Sequence, residues 1–352
     1  MFKLWVVVML LCCSLVGGGE TKPQAHIGQE LVSAAVSPDG CWVAGLSRPN
    51  PEAWLLTLWD SGNGEIAWQT RGIGQPVGTT FPLAWSSDSQ WIALGNGGQV
   101  ELIRREDGST RPLEASAPVR EVRFTGPWLM ARAQDSVYVW ETATAKILRY
   151  VYQPHLLAAA VSHPSGLVAA ASVGEPIHVY QLSDGQFLRS LPSAGACTGL
   201  RFVHQGQWLA AGFRFNQRRN QDQVALFVWE RATESPKVVT QPNLVSFDVS
   251  EDGLRLVTRG PGGCTTWDLP SGRRLFERVA PGFTADSISP DGRQVATFQE
   301  REGLIEVWDS ENGAPLLRIE QKIPPTSFQF FAPGALQVLD GALSIWKVGR
   351  QI

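Results

Sequence analysis

The chain contains few of the side chains that hold metals or form covalent intermediates. It has 5 cysteines in 352 residues, and Cys12 and Cys13 lie in the apolar segment at its start. The other three, Cys41, Cys197 and Cys264, are far apart and do not form a C-x-x-C pair. The sequence therefore predicts no disulfide framework and no zinc or redox site, and we expect these three cysteines to be small buried apolar side chains.

Catalytic motifs are absent as well. None of the 5 histidines belongs to an H-E-x-x-H pair, and the sequence has neither a G-x-S-x-G turn nor an Asp-rich calcium loop. His163 and His204 are expected to be solvated turn residues. Asp39, Asp252 and Asp291 recur at one position of a repeated turn, where the carboxylate serves the turn itself. We therefore expect no catalytic residue, no metal, no cofactor and no enzymatic activity.

The sequence also lacks an excess of charge of either sign. It has 30 Lys and Arg against 33 Asp and Glu, for a net charge of −3. This balance provides no general attraction to nucleic acid or to an anionic membrane surface. We expect protein partners instead, and a monomeric state.

A long apolar run occurs once, at the N-terminus. Lys3 precedes an apolar stretch at residues 4–16, and three glycines follow it. The stretch is too short to span a bilayer comfortably, and its flanks are typical of a cleavable signal peptide. We predict a signal peptide at residues 1–19 and one secreted or periplasmic domain at residues 20–352, without membrane insertion after cleavage. A lipid anchor at Cys12 or Cys13 stays an alternative, although neither follows a small residue.

Tight turns, in contrast, are abundant, in keeping with 35 Gly and 23 Pro. A turn of the Ser-Pro-Asp-Gly type recurs between two short apolar strands with a period of roughly 40 residues. Its eight occurrences are Ser37-Pro38-Asp39-Gly40, Ser86-Ser87-Asp88-Ser89, Thr125-Gly126, Ser162-His163-Pro164-Ser165-Gly166, His204-Gln205-Gly206, Ser250-Glu251-Asp252-Gly253, Ser289-Pro290-Asp291-Gly292 and Ala332-Pro333-Gly334.

A second marker, an aromatic or apolar residue near the end of a third strand, keeps the same order. Its copies are Trp59, Ile103, Trp140, Tyr180, Trp229, Trp267, Trp308 and Trp346. Two markers in register predict an all-β propeller of eight four-stranded blades. Seven blades remain an alternative, because the second unit has lost its Trp and the last unit has only three strands. We expect a strand within residues 22–29 to complete that last blade and close the ring, which removes exposed sheet edges.

The Trp-Asp pairs and the Ser-Pro-Asp-Gly turns resemble the WD40-repeat family. Trp59-Asp60, Trp267-Asp268 and Trp308-Asp309 match its hallmark dipeptide, while its Gly-His dipeptide is missing throughout. The resemblance covers essentially residues 20–352 and is closest to divergent, secreted bacterial members. It implies a propeller that acts as a protein-interaction scaffold, with no catalytic residues, and without the family's buried His-containing hydrogen-bond tetrad.

A second resemblance leaves a different function open. Residues 58–68, which end in Trp68, resemble the repeat of quinoprotein propellers, but the corresponding residues of other units are Phe276, Leu317, Leu188 and Leu148. The alternative is an enzyme or cofactor-binding propeller with its site in the central channel. The channel candidates Arg120, Arg123, Arg201 and Asp286 are mixed in charge and sparse.

Two insertions between second and third strands are the candidate partner-binding segments, because propeller function usually lies on loops. The first spans residues 48–54 of unit one, and the second spans residues 214–223 of unit five. Arg and aromatic residues are enriched at binding hot spots, and the candidates are Arg48, Trp54, Arg214, Phe215, Arg218 and Arg219. Both insertions emerge on one face of a propeller, which we predict to bind the partner. Binding of cell-wall polymer or sugar by an exposed Trp54 or Trp128 remains a further alternative.

Overall fold

The computed structural model describes most of the chain after residue 24. The described residues are 25–28, 30–74, 81–193, 195–214, 223–230, 237–242, 245–260, 262–279, 282–321 and 324–348. The predicted signal peptide, Cys12 and Cys13 lie outside these ranges. So do Phe215, Arg218 and Arg219 of the second insertion.

The described residues form eight four-stranded antiparallel sheets, each one blade of a propeller. The first strand of the chain is β1 (Ala25–Ile27). Blade 1 consists of β2 (Leu31–Val36), β3 (Trp42–Asn50), β4 (Ala53–Asp60) and β5 (Ile66–Ile73). Blade 2 consists of β6 (Leu83–Trp85), β7 (Trp91–Asn96), β8 (Gln99–Arg104) and β9 (Thr110–Glu114). Blade 3 consists of β10 (Glu121–Thr125), β11 (Trp128–Arg132), β12 (Ser136–Glu141) and β13 (Ile147–Tyr152). Blade 4 consists of β14 (Leu156–Ser162), β15 (Leu167–Ser172), β16 (Ile177–Gln181) and β17 (Phe187–Leu191).

The second half of the chain repeats this arrangement, with one 3-10 helical turn at His204–Gly206. Blade 5 consists of β18 (Ala196–Val203), β19 (Trp208–Arg214), β20 (Gln223–Glu230) and β21 (Lys237–Pro242). Blade 6 consists of β22 (Ser246–Val249), β23 (Arg255–Gly260), β24 (Gly263–Asp268) and β25 (Arg273–Val279). Blade 7 consists of β26 (Phe283–Ile288), β27 (Gln294–Gln299), β28 (Leu304–Asp309) and β29 (Pro315–Glu320). Blade 8 contains β30 (Ser327–Ala332), β31 (Ala335–Leu339) and β32 (Leu343–Lys347).

The ring closes through the first strand of the chain. Strand β1 pairs antiparallel with β32, with Ala25 opposite Ile345 and Ile27 opposite Leu343, so blade 8 has the order β1-β32-β31-β30. The predicted closure and the predicted eight blades are therefore confirmed. The second unit forms a complete blade although Ile103 replaces its Trp.

Burial explains why each strand has its composition. The second strands are sandwiched between blades, and β15 is buried along its whole length. The fourth strands lie at the outside, where exposed and half-buried residues alternate, as in β5. First strands of adjacent blades contact one another and surround the central channel. Apolar second strands and polar outer strands therefore follow directly from this layering.

The repeated turn uses its carboxylate for its own backbone. In blade 1, Ser37 Oγ donates to Asp39 Oδ1 at 2.5 Å, and Asp39 Oδ1 accepts from Cys41 N at 3.0 Å. Ser37 Oγ also accepts from Trp42 N at 2.9 Å. The same bonds recur in the turns of blades 2, 6 and 7, at Ser86 and Asp88, Ser250 and Asp252, and Ser289 and Asp291. The predicted turn role of these aspartates is confirmed.

Antiparallel order gives the propeller two different faces. Turns between first and second strands, and between third and fourth strands, lie on one face, the turn face. Hairpins between second and third strands lie on the opposite face together with the connections between blades. We call it the hairpin face; it carries the hairpins after Asn50, Asn96, Ser172 and Gly260.

The cysteines follow the prediction only in part. Cys197 and Cys264 are buried, as expected, and burial raises the pKa of the Cys197 thiol to about 12. Cys41 is exposed, because it lies in the turn after β2. The part of the chain that the structure describes contains no helix with the length and hydrophobicity needed to cross a bilayer.

Candidate interaction surface

The first insertion is an extension of two strands, and it buries its tryptophan. Trp54 lies in β4 with only 2% of its surface exposed, in a core cluster that includes Leu56 of the same strand and Phe81 of blade 2. Trp54 is paired with Gly72, and its indole fills the space that a side chain at Gly72 would need. The predicted exposure of Trp54 is therefore wrong, because strand alternation points it between the blades.

Arg48 is likewise engaged within the protein. Its guanidinium donates to the carbonyl oxygen of Pro51, across the hairpin. Its Cζ also lies 6.0 Å from the centre of the Phe81 ring. Arg48 is half-buried and holds the hairpin against blade 2, so it is not the free contact residue that the sequence suggested.

The second insertion cannot be placed beyond its first residue. Arg214 ends β19, and neither its side chain nor Phe215, Arg218 and Arg219 belong to the described parts of the structure. Their role in partner binding stays a prediction. The ends of β19 and β20 that the insertion joins lie on the hairpin face.

The large apolar side chains with the highest exposed fractions also lie on the hairpin face. Ile73 is 82% exposed, Val279 76%, Tyr152 61% and Val173 56%, the four highest values among the large hydrophobic residues that the structure describes. Ile73, Val279 and Tyr152 end outer strands, and Val173 follows β15 in its hairpin. The four residues belong to blades 1, 3, 4 and 6, so they are distributed around the hairpin face.

A cleft of about 600 Å³ opens beside Ile73, between blades 1, 2 and 3. Its floor includes Asn96, which is 4% exposed and donates from Nδ2 to the Ile73 carbonyl oxygen at 3.1 Å. The buried Oδ1 of Asn96 finds no donor among the described residues. On the opposite wall, Tyr138 Oη accepts from Ser116 N at 2.8 Å. The cleft thus places the exposed Ile73 beside a lining that includes the polar residues Gln99, Glu114 and Ser116.

Sequence reasoning missed this surface because its residues do not stand out in the chain. Ile73 and Val279 are ordinary end residues of outer strands, and neither belongs to an insertion. Only the strand ends, read together with the blade topology, would have indicated a common face. The structure brings Ile73, Asn96 and Tyr138 together from three blades.

The other tryptophan considered for sugar stacking is packed as well. Trp128 is half-buried and meets the His163 ring edge-on at 4.6 Å between ring centres. His204 stacks on Trp208 at 5.2 Å. These turn histidines are therefore half-buried packing residues, and their expected full solvation is wrong. His178 lies on a strand face and contacts Tyr180 and Phe187.

The WD40-type tetrad is reduced to one pair in two blades. Trp267 Nε1 donates to Thr258 Oγ1 at 2.8 Å, and Trp308 Nε1 donates to Thr297 Oγ1 at 3.4 Å. The buried indole N–H of Trp346 has no partner among the described residues. The hydroxyl is supplied by the residue that lies two positions after the one paired with the tryptophan. In blade 8 this position, which corresponds to Thr258, is Val338.

Trp68, the residue on which the quinoprotein resemblance rests, links blade 1 to blade 2. Its Nε1 donates to the Arg105 carbonyl oxygen at 2.6 Å, and its ring lies over Gly108 of blade 2. Strand register makes Arg111 and Arg149 its counterparts in blades 2 and 3, so the assignment of Leu148 is corrected. Arg149 Nε donates to the Leu182 carbonyl oxygen at 2.8 Å, and Arg111 Nη1 to that of Ala143 at 3.2 Å.

The same register moves the counterpart in blade 4 from Leu188 to Arg189, opposite Val179. In blade 6 the counterpart is Phe276, as the sequence suggested, and its ring lies over Gly313 of blade 7. This position of the fourth strand therefore accepts either an aromatic ring or a guanidinium. In these blades its side chain contacts the neighbouring blade.

The channel candidates lie where the sequence placed them, in or just before first strands. Arg123 belongs to β10 and Arg201 to β18, and Arg120 immediately precedes β10. The side chain of Asp286 is not among those described. The structure adds three residues that the sequence analysis did not select: Glu121, Arg132 and Asp248.

Comparison with known structures identifies the fold. The chain is similar to the C-terminal WD40 domain of Sif2, with a TM-score of 0.72 and 15% identity over 95% of this chain and 100% of that one. It is similar to the computationally designed Ika8 protein, with a TM-score of 0.68 and 18% identity over 91% and 96% of the two chains. A chain of a mitotic checkpoint complex matches with a TM-score of 0.59 and 17% identity over 76% and 90%. No family model and no curated protein matches the sequence. The protein is thus an eight-bladed propeller with a WD40-like fold.

Proposed function

We propose that the protein is a non-catalytic scaffold that binds a protein partner on its hairpin face. The single observation behind this proposal is that the four most exposed large apolar residues share that face. Burying such side chains against a partner is favourable, because it removes apolar surface from water. WD40-like propellers commonly mediate protein interaction, and one structural neighbour is part of a mitotic checkpoint complex.

The second insertion supports the same face. It joins the ends of β19 and β20 that lie on this face, and its sequence contains three arginines and Phe215. The cleft beside Ile73 offers a place for a side chain of the partner. We further propose that the protein works outside the cytoplasm, after loss of residues 1–19.

The test compares two triple variants that remove equal numbers of exposed apolar side chains from opposite faces. The hairpin-face variant is Ile73→Ser, Tyr152→Ser, Val279→Ser. The control is Ile66→Ser, Ile147→Ser, Leu254→Ser, whose residues are exposed on the turn face. Chemical cross-linking and affinity capture from a cell-envelope extract are followed by mass spectrometry. We expect the native chain and the control to capture the same protein, and the hairpin-face variant to lose it.

Equal capture by all three chains would contradict the proposed face. Capture lost only in the turn-face control would move the interface to the opposite side. A fourth chain, with residues 214–223 replaced by a short Gly-Ser turn, then shows whether the insertion contributes to the same interface.

A further inference from the structure

We propose that the wall of the central channel between blades 3 and 6 binds a small oxyanion of the phosphate or carboxylate class. A cavity of about 260 Å³ lies there, which corresponds to the space of roughly eight water molecules. Three guanidinium groups and one carboxylate line it, those of Arg123, Arg132, Arg201 and Glu121. The local charge is therefore positive although the whole chain carries a net charge of −3.

The space for the ligand comes from blade 4. Its first strand β14 has three consecutive alanines at 158–160, and Ala158 and Ala159 form part of the cavity wall. The first strands on either side of it, β10 and β18, carry Arg123 and Arg201 at equivalent positions, each two residues before the end of its strand. Two arginines thus flank a stretch of wall in which the side chains are short.

These arginines are only partly satisfied within the protein. Glu121 is shared, with Oε1 3.0 Å from Arg123 Nη2 and Oε2 3.1 Å from Arg132 Nε. Arg201 Nη2 lies 3.7 Å from Asp248 Oδ1, beyond hydrogen-bond distance. The oxygens of Asp248 accept backbone N–H groups instead, Oδ1 from Val249 at 2.9 Å and Oδ2 from Ile288 at 3.2 Å. These hydrogen bonds fix Asp248 among the first strands. The guanidinium of Arg201 faces the cavity.

Phosphate and carboxylate groups fit this arrangement chemically. A guanidinium presents a planar fork of N–H donors that matches two oxygens of such an anion. Charge-assisted hydrogen bonds gain strength where low-dielectric walls limit solvent, as in a channel lined by alanine and leucine. Thr198 and Ser246 also line the cavity and add hydroxyl groups. This inference does not rest on the proposed partner-binding face.

The test is isothermal titration of the full mature chain with inorganic phosphate and, separately, with citrate, at constant ionic strength. We expect saturable binding of at least one probe, and the tighter probe identifies phosphate or carboxylate as the preferred class. Arg201→Gln should weaken that binding by about tenfold or more, as the loss of one charge-assisted bond predicts. Its thermal stability should fall only slightly, because the Arg201–Asp248 ion pair is long and partly exposed and the backbone bonds of Asp248 do not involve Arg201.

Three further substitutions separate charge from shape. Thr198 is exposed on the cavity wall; Thr198→Glu places a competing carboxylate beside the arginines and should abolish binding, whereas Thr198→Gln should retain it. Arg274→Gln, which removes an exposed guanidinium paired with Glu277 on the outer strand β25, should bind like the native chain. Failure of the native chain to bind either probe saturably, or unchanged binding in both Arg201→Gln and Thr198→Glu, would overturn the proposal.

Discussion

At the scale of single residues, the buried indoles show how far the repeats have diverged from one another. The recurring tryptophans and the missing Gly-His dipeptide are visible in the sequence, and they predicted the third strands and the loss of the full tetrad. The burial of Trp54 was not predictable in the same way. Two prolines around it suggested a projecting loop, but the register of β3 shifts between Ser47 and Asn50 and lets the strand continue.

The shorter of the two surviving indole–hydroxyl pairs gives a test at this scale. Thr258→Val removes the acceptor of Trp267 Nε1, together with the hydrogen bond from Thr258 Oγ1 to the Thr265 carbonyl oxygen, while keeping the shape of the side chain. We expect a loss of about 1–3 kcal/mol in the free energy of unfolding, because a half-buried donor loses its partner. Urea denaturation followed by tryptophan fluorescence measures this. A loss below the error of the method would mean that water replaces the threonine.

The reverse substitution is available in blade 8. Val338→Thr introduces a hydroxyl where Trp346 Nε1 is buried without a partner among the described residues. Its matched control is Val295→Thr in blade 7, a valine equally buried but two residues short of the position that faces the indole N–H. We expect Val338→Thr to be more stable than Val295→Thr by about 1 kcal/mol, the value of one net hydrogen bond. Equal losses in the two variants would show that the indole does not reach the new hydroxyl.

At the scale of strands and turns, the sequence predicted most of what the structure shows. The Ser-Pro-Asp-Gly turns mark strand ends for a physical reason. Their Ser and Asp side chains hydrogen-bond backbone N–H groups beyond the glycine. The outer-strand contact was predicted less well. Leu148 and Leu188 were chosen because they are apolar, whereas the structure uses Arg149 and Arg189 at that position. An arginine can replace a ring there by donating to carbonyl oxygens of the next blade, which apolar patterning does not reveal.

The turn after β24 provides a pH-dependent prediction. The hydrogen bond from Ser271, followed by the charges of Arg255 and Arg273, lowers the pKa of Asp268 below its ordinary value. A carboxyl group with a depressed folded-state pKa stabilises the protein above its unfolded pKa, near 3.9, and this contribution is lost as the pH falls through the lower folded-state value. We expect Ser271→Ala to reduce stability at neutral pH and to have little effect once Asp268 is protonated in both states.

Chemical denaturation at a series of pH values from neutral to strongly acidic measures this difference. The control is Ser61→Ala in the corresponding turn of blade 1, where the hydroxyl donates to the Gly40 carbonyl oxygen. Its cost should be independent of pH over the same range. A Ser271→Ala loss that is equally independent of pH would contradict the role of Asp268.

At the scale of the whole molecule, the ring depends on one short strand. The sequence indicated this closure because the last unit lacked a fourth strand and residues 22–29 offered one. The exposed residues of the hairpin face were beyond prediction from sequence, because they result from how eight blades place distant residues on one side. The repeat did predict the first-strand positions of Arg123 and Arg201, but not the cavity that they share with Glu121 and Arg132.

Truncation tests the closure. A chain that starts at residue 20 retains β1, and a chain that starts at residue 29 lacks it. We expect the shorter chain to unfold at a lower temperature and to self-associate, because the β32 edge, with the buried Leu343 and Ile345, becomes available for pairing. Differential scanning calorimetry and light scattering compare the two chains. Identical melting and no association would show that blade 8 is stable with three strands.

The pairing of β1 with β32 also has a consequence for biosynthesis. Strand β1 leaves the ribosome before every other described strand, and β32 leaves it after all of them. The final sheet therefore cannot form until translation has passed residue 347. Any nascent chain that stalls earlier keeps β1 without its native neighbour, so only a chain completed through β32 can close the ring.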